Sequence, residues 1–191
     1  PMNEMNFMYR NVQGWGTPDI EMTYNLGSEG HFFVDGDVDL EAGESWSEQI
    51  YVDGGMRLKI SMVWIDPAAS TYPEICNDND ECFARALVNN LDLKLTSPSG
   101  EIYYGNNGLH NNIWSTSGTA NNDWSFFNNG FENHTAPYLD DLNNVENVFI
   151  QVPESGQWTV EVSARDGNLG TPDGPQNFSL VVSGADKDDT I

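Results

Sequence analysis

Along most of the chain, apolar side chains return at every second position, the period of a half-buried β-strand. The clearest run covers residues 57–66. Leu58, Ile60, Met62 and Trp64 fall on one side of it, and Arg57, Lys59 and Ser61 on the other. Residues 31–36 (HFFVDG) read as a short strand. In residues 39–53 a turn at Gly43 separates two strand ends, with Trp46, Glu48 and Ile50 sharing one parity. Residues 91–105 read as a hairpin, with Leu91, Leu93 and Leu95 inward and the turn at Ser97-Pro98-Ser99-Gly100. Three further strands are predicted within residues 145–153, 156–166 and 176–184, with Val148, Ile150 and Val152 as the inward set of the first. Residues 105–137 are rich in Asn, Gly, Ser and Thr and read as a long loop with a short strand near Ile113.

Only residues 1–30 depart from this pattern. Loose helical spacing there, broken by Gly14-Trp15-Gly16 and Pro18, predicts a short helical and linker segment. The expected chain is all-β: a β-sandwich or jelly roll of about eight or nine antiparallel strands. Its boundaries fall at residues 1–30 (linker and end of a preceding domain), 31–185 (sandwich) and 186–191 (solvated tail).

Charge narrows the partners. The 191 residues carry 30 acidic and seven basic side chains, a formal net charge of −23. Such a surface repels phosphate backbones and anionic headgroups, so nucleic acid and membrane are not expected partners. No run reaches the roughly eighteen apolar residues of a membrane helix. Self-repulsion of this size is relieved by salt or by a bound cation. The two cysteines, Cys76 and Cys82, bracket a polar stretch that offers nothing to pack. We expect them to bridge one another, closing a loop worth about 2 kcal/mol, the alternative being two free thiols.

Parity also carries polar groups inward. Asp66 continues the inward set of Trp64, Asn89 that of Leu91, and Glu146 with Asn144 that of Val148. A buried carboxylate needs a cation or donors to meet it. Two readings follow: an all-oxygen site for a hard cation, Ca²⁺ before Mg²⁺, or capping of strand-end backbone with pairing to Arg85 or Arg165. A contiguous acidic loop, Asp78, Asp80 and Glu81, lacks the glycine that lets a loop wrap an ion.

Catalytic motifs are missing. His31, His110 and His134 sit in neither G-x-S-x-G nor H-E-x-x-H, and no glycine-rich phosphate loop follows a strand. Among 30 carboxylates, any chosen pair says little. The chain is therefore expected not to be an enzyme by itself. Aromatics of the long loop, Trp114, Trp124, Phe126, Phe127 and Phe131, either present a stacking platform for sugar rings or an insoluble polymer, or fold back to lid an open sheet edge.

Three segments together resemble one family. They are LKISMVWIDPAAS (58–70), ALVNNLDLKLTSPSGEIYYGNN (86–107) and DDLNNVENVFIQVPESGQWTVEVSA (140–164). They look like the C-terminal jelly-roll domain of secreted subtilisin-like serine proteases, in the alkaline branch. Trp64, Asp66 and Pro67 match the W-x-D-P motif. Leu87, Val88, Asn89, Leu91, Asp92 and Leu93 match L-V-N-D-L-D-L, with Asn90 in place of the usual Asp. Asp140, Asn143, Asn144, Val145 and Glu146 match D-x-x-N-N-V-E. Gln13 to Ile20 is similar to the segment that ends those catalytic domains. The chain departs at the Cys76–Cys82 insert and at residues 108–127.

The resemblance implies a secreted, calcium-binding accessory domain that supports a catalytic protease domain lying upstream, and engages proteinaceous substrate. Parity and resemblance together give Asp66, Asn89, Asp92, Asp140, Asn144 and Glu146 as expected metal ligands. Asn90 removes one charge from such a site. The rival reading is a carbohydrate- or polymer-binding module using Trp114, Trp124 and Phe126. A third is an adhesin-like surface domain.

Overall fold

A computed structural model describes residue 15 and residues 31–68, 87–109, 112–118, 139–140, 143–164 and 174–187. Outside them lie the expected N-terminal helix, Cys76 and Cys82, Asp78, Asp80 and Glu81, Arg85 and Arg165, and His110 and His134. The same is true of Trp124, Phe126, Phe127 and Phe131.

The described residues are all-β. In order, the strands are β1 (His31–Leu40), β2 (Ser45–Val52), β3 (Leu58–Val63), β4 (Asp92–Thr96), β5 (Ile102–Tyr104), β6 (Val145–Ile150), β7 (Gly156–Ser163), β8 (Gln176–Ser183) and β9 (Asp186–Lys187). One sheet runs β1-β8-β3-β6 and the other β5-β4-β7-β2-β9. All strand pairings are antiparallel. Consecutive strands alternate between the sheets, except β4 and β5, which form the expected hairpin. Its turn is closed by the Gly100 N–H on the Ser97 carbonyl, and Gly100 takes a φ of 88°, which a side chain would resist.

Alternation explains the core. Leu58, Ile60, Met62, Val148, Leu180 and Val182 of the first sheet face Ile50, Val52, Leu93, Leu95, Val160 and Val162 of the second, all fully buried. Each such side chain contributes about 1.5–3 kcal/mol relative to exposure. Trp46 of β2 and Phe178 of β8 meet edge-on across the sheets, with centroids 5.7 Å apart.

The Gly43 turn separates two strand ends as expected, and the strands it joins lie in opposite sheets, because β1 pairs with β8 and β2 with β7. Two details differ from the sequence expectation. Val152, expected inward, is 79% exposed, since β6 ends at Ile150 and alternation stops with the strand. Ile113 lies outside any strand and is 63% exposed. In addition, Asp186–Lys187, placed in the tail from sequence, pair with β2 at Tyr51 and Ile50.

The open edges of β6 and β5 are covered by the early part of the long loop. Asn106 N–H donates to the Asn147 carbonyl, Ser115 N–H to the Phe149 carbonyl, and Gly118 N–H to the Ile102 carbonyl. In return, Phe149 N–H donates to Ser115 Oγ and Asn147 N–H to Asn106 Oδ1. Unpaired edge groups invite pairing with other chains, and this strap satisfies them.

Candidate functional site: buried acids and amides at the strand ends

Asp66 follows the end of β3 and is half-buried. Its two carboxylate oxygens accept the N–H groups of Val88 and Asn89, at 2.8 and 2.7 Å. Proline at 67 favours extended backbone for Asp66, which aims the carboxylate sideways at the 87–90 segment. Asn89, buried, donates from Nδ2 to Gln176 Oε1 at 2.9 Å, and its carbonyl accepts the Trp64 indole N–H at 2.8 Å. Gln176 Nε2 donates in turn to the Asn177 carbonyl at 2.7 Å. Asn144 is exposed, contrary to its parity, because it precedes β6. Its Nδ2 donates to the Trp64 carbonyl at 2.9 Å. Asp66, Asn89 and Asn144 are therefore brought together around Trp64.

Glu146 is 1% exposed, on β6. Its Oε2 accepts the Leu93 N–H of β4 at 2.6 Å, crossing from one sheet to the other. The β4–β5 ladder ends there: Gly105 N–H still reaches the Leu93 carbonyl, but Leu93's own N–H is taken by the carboxylate. Gly105 has to be glycine, since a Cβ would collide with Glu146 Oε2 and lie 2.6 Å from its Cδ.

Asp140, 2% exposed, anchors a third group. Its Oδ2 accepts Asn106 Nδ2 at 2.6 Å and Asn143 Nδ2 at 2.7 Å, and its Oδ1 accepts the Asn143 N–H at 3.2 Å. Asn106 is fully buried at a φ of 60° and also donates to the Val145 carbonyl at 2.8 Å. Ser61 Oγ donates to Asn147 Oδ1 at 2.6 Å on the same side. The sequence pattern places Asn106 and Asn107 in a long loop and does not reveal this amide hub. A usable signal was Gly105-Asn106-Asn107 directly behind a strand, where Asn tolerates left-handed backbone.

Asp92 opens β4 on the side opposite Leu91 and Leu93, yet is 3% exposed. Asn90, two residues earlier, is 5% exposed, and its Oδ1 is buried with no hydrogen-bond partner among the described residues. A buried carbonyl oxygen without a donor costs about 1–3 kcal/mol. Among the described residues, no group of three or more His, Cys, Asp or Glu side chains is placed to hold a metal ion. A cation here would have to draw on amide and backbone oxygens as well, the donor set that suits Ca²⁺. The orphaned Asn90 oxygen, two residues before the buried Asp92, fits that chemistry.

Trp114 is half-buried, and the Arg57 guanidinium lies 5.5 Å from its ring centroid. One face of that indole is thus already covered.

No family model matches the chain. One curated protein similar to it is the "Serine protease/ABC transporter B family protein tagD" of Dictyostelium discoideum. The two are 34% identical over 135 residues, 69% of this chain, and the chain spans only about 6% of that relative's length. What the comparison supports directly is a link between this β-sandwich and a much longer protein named as a serine protease.

Proposed function

We propose that the chain is a non-catalytic accessory domain of a larger secreted serine protease, a jelly-roll sandwich that supports the folding and stability of a catalytic partner and helps engage proteinaceous substrate. The observation that carries this is the similarity to a small part of a long protein named as a serine protease. The resemblance of the 58–70, 86–107 and 140–164 segments to the domain that follows alkaline subtilases points the same way. Alternation of strands between sheets, 1-8-3-6 over 5-4-7-2-9, supports the jelly-roll form. The non-catalytic reading rests on the sequence, where no histidine falls in a nucleophile or metal motif.

Calcium belongs to the same proposal. Asn90 Oδ1 and Asp92 are the groups we assign to it, whereas Asp66, Asn89, Asp140, Asn144 and Glu146 are each engaged in hydrogen bonds within the protein. When bound, the ion supplies positive charge within a chain of net charge −23. The protein's own contribution is to bury the oxygens and fix their backbone.

Two measurements test the proposal. The purified chain should hydrolyse neither casein nor peptide esters; sustained turnover would overturn the accessory role. Complete chelation should lower the melting temperature. An ion at 100 times its Kd stabilises the folded form by about 2.7 kcal/mol, roughly 5–11 °C for a chain of this size. An unchanged melting curve would remove calcium from the account and leave the accessory role standing.

A further inference from the structure

Asn177-Phe178-Ser179 is an N-x-S triplet with no proline at its centre, the pattern read as an acceptor for an N-linked glycan. Such triplets also arise by chance, so the fold has to decide whether this one can carry a sugar. It lies at the start of β8, whose inward set is Gln176, Phe178, Leu180 and Val182. Asn177 has the other parity and is the exposed position of the strand. On one side, the ladder between β3 and β8 stops at Ser179, so no residue of β3 pairs with Asn177. On the other side β1 bulges. Asp35 lies opposite Ser179 and Asp39 opposite Asn177, which leaves Gly36, Asp37 and Val38 against Phe178 alone. Gly36 has a φ of 71° and sits beside the acceptor amide, where a Cβ would lie 3.9 Å from Asn177 Nδ2. No side chain crowds the nitrogen from that position. Among the described residues the Asn177 side chain makes no hydrogen bond; its backbone carbonyl accepts Gln176 Nε2 at 2.7 Å.

The other two members of the triplet fix the moment of modification. Phe178 is 1% exposed and edge-on to Trp46 in the core. The Ser179 hydroxyl donates to Asp35 Oδ1 at 3.2 Å. A transferase has to reach that hydroxyl and the backbone around it, and in the finished sandwich both are engaged. β8 is laid between β1 and β3, and it is the last long strand of the chain. Until it is made and paired, the triplet is free to be read.

We infer that Asn177 is an N-glycosylation site, modified on the unfolded chain and then carried on the outer face of the β1–β8 pair. The donor is a lipid-linked oligosaccharide pyrophosphate. The Asn177 amide nitrogen attacks the anomeric carbon, a C–N bond forms and the C–O bond to phosphate breaks. The lipid pyrophosphate leaves with the electron pair, and the amide gives up one proton. The inference rests on the secreted reading proposed above, since the transfer belongs to the export route. Seated there, the glycan stands over the end of the β1 ladder, where Asp35, Asp37 and Asp39 are exposed.

Secreting the full 191-residue chain from a eukaryotic host, behind that host's own signal sequence, tests the acceptor separately from the native protein's destination. Peptide mapping after peptide-N-glycosidase, which turns a glycosylated asparagine into aspartate, should find the conversion at residue 177 in most of the secreted chain. Asn177→Gln and Ser179→Ala should each abolish it there, and Ser179→Thr should retain it. Asn177→Gln should melt with the enzymatically deglycosylated parent, which separates a lost acceptor from a lost fold. A second triplet, Asn133-His134-Thr135, lies outside the described residues, and Asn133→Gln keeps its contribution apart. For the timing, oligosaccharyltransferase with its lipid-linked donor is offered either the folded, unglycosylated chain or a peptide of residues 174–182. The peptide should be modified and the folded chain should not. An unmodified Asn177 in the secreted chain would overturn the proposal while leaving the secreted reading intact. Transfer onto the folded chain as fast as onto the peptide would overturn the order of events.

Discussion

Replacing Asp66 by alanine should detach the 87–90 segment from the end of β3. The carboxylate accepts two backbone N–H groups, from Val88 at 2.8 Å and from Asn89 at 2.7 Å. Hydrogen bonds to a charged acceptor contribute about 1.5–3 kcal/mol each. Asp66 is half-buried, so water recovers part of that, and the expected loss is about 3 kcal/mol. In a chain of this size, 1 kcal/mol moves the melting temperature by about 2–4 °C, so the fall should be roughly 6–12 °C. Asp66→Asn keeps one acceptor oxygen but turns an NH₂ toward the second N–H, and should lose at least half as much. Calorimetry gives the shift. Trp64 fluorescence reports the local event, since its indole N–H donates to the carbonyl of Asn89. A fall in melting temperature of less than about 2 °C in the alanine variant would refute the reasoning, because the two N–H groups would then be satisfied as well by water.

Gly105→Ala should cost about 3 kcal/mol in urea denaturation, because its Cβ would meet the Glu146 carboxylate and that side chain is too buried to give way. Asn106→Ala should cost about as much through its lost bonds to Asp140 and Val145, and Asn106→Gly about 1 kcal/mol less, since glycine relieves the φ of 60°. At alkaline pH, Tyr103 should matter. Burial, then its hydrogen bond to Glu101, raises its pKa above the usual 10.0. A raised folded-state value means the stabilisation is complete below pH 10.0 and is lost as pH rises through the folded value. Tyr103→Phe should flatten that decline in thermal melts at successive pH values, and a parallel decline in both proteins would count against it.

Strand positions and inward faces were readable because alternation is local. Leu58, Ile60, Met62 and Trp64 are buried as their spacing requires, and so are Leu91, Leu93 and Leu95. Alternation fails where the ladder does, which is why Val152, just outside β6, points to solvent and Asn144, just before it, is exposed with its amide on the Trp64 carbonyl. Partnerships were far less legible. Asn89, expected at a strand-end cation site or cap, is held by Gln176, 87 residues away. Glu146 reaches across to Leu93 in the opposite sheet, a contact set by how the sheets stack and not by either segment's own pattern. The strap formed by residues 106–109 and 112–118 reads as polar loop because its role is to satisfy another strand's edge, and that leaves no periodicity behind.

Interleaving the strands has a consequence for synthesis. Among the described residues β1 pairs in a ladder with β8, and β2 lies between β7 and β9, so the first residues of the sandwich wait for nearly the last. Such distant pairing slows folding, and no early portion of the chain closes a core alone. On a ribosome, the sandwich would assemble only when its end emerges, so a truncated product would betray itself as an unpaired ribbon open to proteolysis.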